Sequence, residues 1–344
     1  FCEKMQALLK DEYPQFIKGY ENDNYYSLRV NTLKADRDRL AEENLFDLSP
    51  VRWCDTGFYY DNATRPGRHR YHHAGVYYIQ EASAMAPVTL LDPQPGERIC
   101  DLCAAPGGKT TDIAASVRQA CGDNFILVAN EVMKARVGVL ADNVALWGDP
   151  NVVVTCDDPR AFASLTGYFD IIVADVPCSG EGMFRKDEQA QQQWSEDNVA
   201  LCEGRQRRIL ADVWPSLRND GVLVYSTCTF NRYENDGNVR WIAENLGAEV
   251  LPNDLGGNGV IMTECGYSLV PGFVEGEGQY CSALRKTSET TWGDSYREGR
   301  RRAKPVASAV KMLEGLGDDD ECCYLIPVFK DSLERVGTCS FIIS

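Results

Sequence analysis

Apolar residues fall at helical spacing over residues 2–20, where Met5, Leu8 and Leu9 share one face, so this stretch predicts an amphipathic helix. Residues 25–33, YYSLRVNTL, alternate as a strand does; RDRLAEENLF at 37–46 predicts a second short helix and WCDTGFYYD at 53–61 another strand. Residues 1–75 therefore read as a small α+β appendage, too polar to be a large independent domain. Residues 75–91 follow as a strand running into a helix, with Gln80, Glu81 and Ser83 at the junction.

From residue 98 the pattern changes to near-continuous apolar runs at 98–103, 125–129, 152–155, 169–174 and 222–226, the signature of strands covered on both faces. Helices are expected to begin near Thr110, Lys134, Asp158 and Ser195. Ser195 suits a cap, above an apolar stripe of Cys202, Ile209, Leu210, Val213 and Leu217. Alternation of this kind predicts right-handed crossovers and an α/β fold with a doubly wound, mostly parallel sheet, closed by later strands at 248–251 and 279–284. The expected organisation is an appendage at 1–75, a main domain at 76–286, a polar linker at 287–304 and a partial accessory segment at 305–344. The chain starts at Phe1 and its last apolar strand runs to Ser344, so it reads as a piece of a longer protein.

At 344 residues and 44% hydrophobic content the chain can bury one large core and still carry a smaller unit. Its fourteen cysteines are scattered at irregular spacing, which points to reduced thiols and a cytoplasmic setting. No basic segment followed by an apolar core opens the chain, and no run approaches the roughly twenty residues of a membrane span, so the expectation is a soluble monomer without membrane contact. Cys100 and Cys103 are the sole CxxC, on a strand where positions three apart face opposite sides, and no metal is expected. A net charge of −16 excludes a protein that coats nucleic acid through bulk charge, but basic clusters at 65–70, 205–208 and 297–302 leave room for a local groove as well as for ordinary solvated faces. The three histidines lie between His69 and His73, in a segment that reads as a surface loop or a basic patch, so a Cys-His protease dyad would rest on it alone.

Residues 98–111, RICDLCAAPGGKTT, form the chemical centre of the sequence: a strand, a Pro-Gly-Gly turn and a helix start. Gly107 and Gly108 can take positive φ and let the backbone approach a ligand, and Thr111 and Asp112 suit a first helical turn. Two ligands use such a loop. A nucleoside triphosphate would need GxxxxGK[ST], which fails here because Cys103 stands where the first Gly belongs; Asp175 after IIVA would then hold magnesium. S-adenosylmethionine would need an acidic residue ending the next strand to bind the ribose, and FILVANE supplies Glu131, roughly twenty residues on. The second fits better. The ends of the parallel strands converge on reactive groups: Asp101, Glu131, Asp157 and Asp158, Asp175 in ADVPCSGEG, and Thr227 with Cys228 in YSTCTF. Cys178 and Cys228, at the ends of two strands, point to nucleophilic chemistry.

DLCAAPGGKT, ADVPCSGEGMFRK and YSTCTFNRYEN, in this order, resemble the three signature motifs of the Nop/Sun family of RNA cytosine-5 methyltransferases. SLRVNTLK at 27–34, YYIQEASAMAP at 77–87 and GEGQYCSALRK at 276–286 resemble further family segments, so the likeness covers roughly residues 20–286. Within the family it is most similar to bacterial enzymes acting on small-subunit ribosomal RNA. The resemblance implies a Rossmann-like S-adenosylmethionine-dependent fold, with Cys103, Ala104, Ala105, Pro106, Gly107, Gly108 and Lys109 around the cofactor, Glu131 on its ribose and Asp158 by its adenine. It implies Asp175 beside the methyl donor and target base, Lys109 helping to hold that base, Cys228 as nucleophile and Cys178 assisting product release. Carbon 5 of cytosine is not nucleophilic by itself; thiolate addition at carbon 6 makes it so, and proton loss with thiol elimination frees the product. The partner implied is RNA, with the target base splayed from its stack. Glu234-Asn235-Asp236 departs from the usual acidic pair, and the tail is short for an appended RNA-binding domain. A P-loop-like ATPase and a non-catalytic ribosome-assembly factor are the alternatives.

Overall fold

Why the apolar runs are continuous is visible in the central sheet of the computed structural model, which describes residues 1–289 apart from 22, 23, 253, 254, 256 and 258. The N-terminal part holds α1 (Cys2–Leu9), α2 (Tyr13–Glu21), β1 (Ser27–Val30), α3 (Arg37–Glu42), β2 (Ser49–Pro50), β3 (Gly57–Tyr59), α4 (Arg70–His73) and β4 (Tyr77–Ile79). The main part follows with β5 (Glu97–Asp101), α5 (Gly108–Cys121), β6 (Phe125–Asn130), α6 (Lys134–Trp147), β7 (Val152–Thr155) and β8 (Phe169–Asp175). It ends with α7 (Glu188–Gln193), α8 (Glu196–Val213), β9 (Leu217–Thr227), α9 (Asp236–Ile242), β10 (Ala248–Val250), β11 (Val260–Met262), β12 (Tyr267–Leu269) and β13 (Gln279–Lys286).

The large sheet runs β11-β12-β13-β9-β8-β5-β6-β7, with β10 paired on β13. Strands β5 to β9 are parallel, and β10, β11, β12 and β13 make antiparallel pairs. Residues alternate between two buried layers: Cys100, Val128, Ile172, Leu223 and Tyr225 face α8 and α9, while Ile99, Leu127, Val152, Val173 and Val224 face α5 and α6. The chain leaves β5 toward β6 and β7, then returns to β8 on the other side. The switch point therefore opens a crevice between the carboxyl ends of β5 and β8.

Several elements are shorter or tighter than the pattern predicts, and proline is the usual reason. The helix expected over 2–20 is two, because Pro14 lacks the N–H a continuous helix needs and its ring would meet the carbonyl of Lys10, where the chain instead makes a 3₁₀ turn, Lys10–Glu12. The helices expected after residue 80 and near Asp158 are 3₁₀ segments, Ser83–Leu90 containing Pro87 and Pro159–Ser164 opening on Pro159. Strand β9 starts earlier than expected, with an irregularity opposite Phe169 and Ile171. The linker and accessory segments expected beyond 287, including the arginine cluster at 297–302, lie from residue 290 outside the described residues.

A second sheet, β2-β3-β1-β4, extends past the boundary expected at residue 75. Along β1, Leu28 and Val30 point into its own core with Leu40, Phe46, Phe58 and Tyr77, so Arg29 points the other way, into the main part. Arg29 is fully buried. Its guanidinium donates to the carbonyls of Gly108 (3.2 Å) and Thr111 (3.3 Å), to Thr111 Oγ1 (2.5 Å) and to Gln80 Oε1 (3.0 Å), lies 3.3 Å from Asp112 Oδ1, and stacks 4.5 Å from the Trp147 ring. One side chain thus fixes the small sheet onto the first turn of α5. The two N-terminal helices dock elsewhere, with Met5, Leu9 and Phe16 packed on Phe230 and Val270.

Candidate active site

The loop between β5 and α5 is built by its glycines and held by side chains of α6. Gly107 has φ 110°, a region that favours glycine, and a Cβ there would sit 3.3 Å from Leu140 Cδ1. Arg136 Nη2 donates to the Ala105 carbonyl (2.6 Å) and Asn143 Nδ2 to that of Pro106 (2.8 Å), while Ala104 N donates to Asn130 O (2.8 Å). Ala104 and Ala105 pack into the core, as does the side chain of Cys103, whose thiol burial pushes far up; this residue therefore serves the loop through its backbone. Gly108 is the first residue of α5, after Gly107 at its N-terminal cap.

Carboxylates end three strands around this loop. Asp101 is fully buried; Thr110 Oγ1 donates to its Oδ2 (2.6 Å), its Oδ1 has no hydrogen-bond partner, and burial pushes its pKa up to about 7. Glu131, buried at the end of β6, accepts from Met133 N (2.8 Å) and lies 3.2 Å from Arg136. Asn130 ties the neighbouring ends together: it donates to the Leu102 and Asp157 carbonyls (3.3 and 3.0 Å) and accepts from Thr155 Oγ1 (2.9 Å) and Asp157 N (3.0 Å). Asp158 is exposed and caps the turn after β7 by accepting from Arg160 N (3.0 Å), so it stands at the rim.

Asp175 is the hub. Its Oδ2 is 2.8 Å from Lys109 Nζ, and its Oδ1 accepts from Ser226 Oγ (2.8 Å) on β9 and Gln279 Nε2 (2.8 Å) on β13. Burial pulls the Lys109 pKa down, but the Asp175 charge outweighs it and the net shift is upward, so the ammonium persists.

Beyond Asp175, Cys178 Sγ and Cys228 Sγ lie 3.2 Å apart as free thiols. The hydrogen bond to Cys228, and then burial, holds the Cys178 thiol well above the usual range. Either sulfur can donate the hydrogen bond between them, so the two thiols share one proton position across the crevice. Two buried carboxylates lock the loops that carry these sulfurs. Glu181 Oε2 accepts from Thr229 Oγ1 (2.7 Å), Phe230 N (2.8 Å) and Asn231 N (3.0 Å), and its Oε1 accepts from Trp194 Nε1 (2.9 Å). Glu234 accepts from Ser179 N (3.0 Å), Gln206 Nε2 (2.7 Å) and Asn231 Nδ2 (2.8 Å). Gly182 N donates to the Cys228 carbonyl (2.8 Å), and a Cβ on Gly182 would be 2.9 Å from that oxygen.

The sequence reading brought Lys109, Asp175, Cys178 and Cys228 to one place, and the structure gathers them. It missed Ser226, Gln279, Asn130, Glu181 and Glu234 as supports. Asn235, the departure from an acidic pair, accepts from Thr227 Oγ1 (2.6 Å) and donates to the Thr229 carbonyl (2.9 Å), a double duty that a carboxylate could not perform. The histidine segment packs its rings on Phe46, Tyr71 and Tyr77, beside the small sheet. Among the described residues no group of side chains is arranged to hold a metal ion, and no helix is long and apolar enough to cross a membrane.

Residues 88–285 match the family described as 16S rRNA methyltransferase RsmB/F, and residues 1–82 match the N-terminal domain of 16S rRNA methyltransferase RsmF. Ribosomal RNA small subunit methyltransferase F of Klebsiella pneumoniae (strain 342) is 40% identical over 306 residues, covering 84% of this chain and 63% of that protein. Its counterpart in Aliivibrio fischeri (strain MJ11) is 38% identical over 295 residues, 80% of this chain and 61% of that one. The chain thus spans about three fifths of the length of these curated relatives. A solved methyltransferase homolog protein from Pyrococcus horikoshii superposes with a TM-score of 0.70 at 28% identity, over 83% of this chain and 93% of that one. NSun6 from the same organism, crystallised with SFG, gives 0.68 at 20% identity over 84% and 98%, a likeness of fold.

Proposed function

Because the chain belongs to the RsmB/F family of 16S rRNA methyltransferases, we propose that it transfers a methyl group from S-adenosylmethionine to carbon 5 of a cytosine in RNA, with small-subunit ribosomal RNA as the substrate class. The observation that carries this reading is the pair of thiols 3.2 Å apart, one beyond the end of β8 and one beyond the end of β9, next to the Lys109–Asp175 ion pair.

The residues of the crevice suit the cofactor. Asp101 offers a buried oxygen without a partner, and Gly107 leaves a cradle that a Cβ would narrow. Asp101, Glu131 and Asp175 make the crevice acidic, which favours a ligand with ammonium and sulfonium charges and opposes a triphosphate; Lys109 is engaged by Asp175 instead of being free for phosphate. Asp101 would take the ammonium, Glu131 the ribose hydroxyls, the 103–108 loop backbone the methionine portion, and Asp158 would border the adenine. When bound, S-adenosylmethionine supplies an electrophilic methyl group.

The protein's own groups do the rest. Cys228 gives up its proton to solvent and adds as a thiolate to carbon 6 of the cytosine, and Asp175 with Lys109 holds the polar edge of the ring as charge develops there. Once Cys228 is bonded to carbon, Cys178 loses the hydrogen bond that is the first cause of its raised pKa. Having lost its own proton to solvent, Cys178 takes the carbon 5 proton as a thiolate; the C–H electron pair re-forms the carbon 5–carbon 6 double bond and Cys228 leaves carbon 6 as a thiolate. The small N-terminal unit would face RNA. Mass spectrometry of ribosomal RNA nucleosides, from a strain lacking the gene and from one carrying it again, tests the reading. Loss and return of one 5-methylcytidine supports it; an unchanged level leaves the assembly-factor alternative.

Two binding predictions follow from the crevice. Glu131→Ala weakens S-adenosylmethionine binding by about 10- to 100-fold, the loss expected for charge-assisted bonds to two hydroxyls, with the far-ultraviolet spectrum unchanged. Calorimetry finding equal affinities would remove Glu131 from the site. Asp101, held up to about 7 in the fold against about 3.9 unfolded, binds more protons folded than unfolded between those values. Its contribution to the stability of the free protein is therefore full below about pH 4 and lost as pH rises through about 7. A cation needs the ionised form, so cofactor affinity rises over the same upper part of the range. Asp101→Asn flattens both profiles, as thermal melts with and without S-adenosylmethionine would record.

A further inference from the structure

Next to the catalytic loop, α1, α8 and α9 border a groove of about 650 Å³. Its wall is continuous with the site: Glu181 and Asn231, which fix the Thr229–Asn231 segment after Cys228, both line it. Arg232 and Tyr233, exposed residues that follow that same segment, also line it, and Tyr233 is 59% exposed. Cations of the groove lie beside aromatic rings. Lys4 Nζ sits 5.8 Å from the Trp194 ring and 5.9 Å from the Tyr233 ring, and the Arg207 guanidinium lies 5.6 Å from Trp241. Lys4 pairs with Glu196 and Arg207 with Glu203, ion pairs at partly exposed positions that phosphate can exchange for at little cost.

We propose that this groove carries the single-stranded RNA flanking the target cytosine, with the base of an adjacent nucleotide stacked on Tyr233 and its phosphate met by Arg232 and Lys4. The inference rests on the RNA methyltransferase reading and adds a path for the strand. A base drawn out of its stack into the crevice leaves its neighbour without a stacking partner, and an exposed aromatic five residues beyond Cys228 supplies one. Stacking is tolerant of base identity because every base presents a π face, so Tyr233 contributes affinity more than sequence choice. Phosphate contacts add a salt-dependent component.

The test uses the whole protein and a fluorescein-labelled, short single-stranded RNA of mixed sequence, read by anisotropy. Methyl transfer to the RNA by the unaltered protein is measured in parallel. Tyr233→Ala weakens RNA binding by about 5- to 150-fold, the loss of one base–aromatic stack, whereas Tyr233→Phe and Tyr233→Trp retain it. Arg232→Ala reduces the slope of log affinity against log salt by about 0.7, one phosphate on a single strand. S-adenosylmethionine affinity is unchanged in each variant, which separates a lost strand contact from a disturbed fold. Equal RNA affinities for the unaltered protein and Tyr233→Ala overturn the inference, and so does a Tyr233→Ala that shifts sedimentation from dimer to monomer without changing RNA affinity, since the groove would then seat a second copy. Failure of methyl transfer with the Tyr233 effect intact would count against the proposed reaction and not against the groove.

Discussion

Cys228→Ala lowers methyl transfer by at least about 10³-fold, because no bond to carbon 6 can form without the nucleophile, while cofactor binding persists. Cys178→Ala gives a different result from the same pair of sulfurs. Cys228 still attacks and the methyl group still moves, but the carbon 5 proton has no base positioned to receive it, and protein accumulates covalently joined to RNA. Denaturing electrophoresis with end-labelled RNA shows this as a slow band in Cys178→Ala that is absent in Cys228→Ala and in the double variant. The two sulfurs can be separated in this way because they lie 3.2 Å apart on different loops, one after β8 and one after β9. A band in Cys228→Ala and none in Cys178→Ala would reverse the assignment.

The largest effect on stability belongs to Arg29→Ala, expected to cost about 3–5 kcal/mol, as is usual when one partner of a buried ion pair is removed. The substitution strips Asp112 of its counter-charge and empties the space over Trp147. Against a total stability of roughly 5–15 kcal/mol this is enough to shift the urea midpoint strongly. The direction with pH is fixed by Asp112, which burial already pushes up to about 6 despite Arg29. Without the guanidinium its folded pKa rises further while the unfolded value stays near 3.9, so the deficit of the variant is smallest at mildly acidic pH and grows as pH rises. Arg29→Ala/Asp112→Asn recovers part of the loss at neutral pH. A deficit independent of pH, with no recovery in the double variant, would place the effect in packing alone.

Where the sequence spoke clearly, it did so through constraints that are local. Parallel strands covered on both faces must be apolar throughout, so β5 to β9 stood out, and their carboxyl ends could be read together as one edge. Glu131, Asp175, Cys178 and Cys228 lie at or just beyond those strand ends. Pro14, Pro87 and Pro159 show the limit of periodicity: apolar spacing announced helices, but a missing N–H decided what kind of turn formed. The supports of the site were hidden for a different reason. Ser226 and Gln279 look like ordinary polar residues in a strand until β9 and β13 pair and turn both toward Asp175. Arg29 gives no local sign that it is buried, since its partners Gly108, Thr111 and Asp112 lie some eighty residues away. Long-range pairing, not composition, turned these residues into parts of the site.

That pairing also has a consequence for the chain as it is being synthesised. Asp175 receives its last hydrogen bond from Gln279, at the start of a strand that lies antiparallel on β9 and supplies the register Tyr280 to Thr227 through Arg285 to Val222. A nascent chain that has displayed the β5–α5 loop, both thiols and the clamp glutamates still lacks one of the three groups that hold its central carboxylate until β13 has cleared the exit tunnel. Because contacts so distant in sequence form slowly, the hydrogen-bond set around Asp175 is completed late, after translation has passed both thiols.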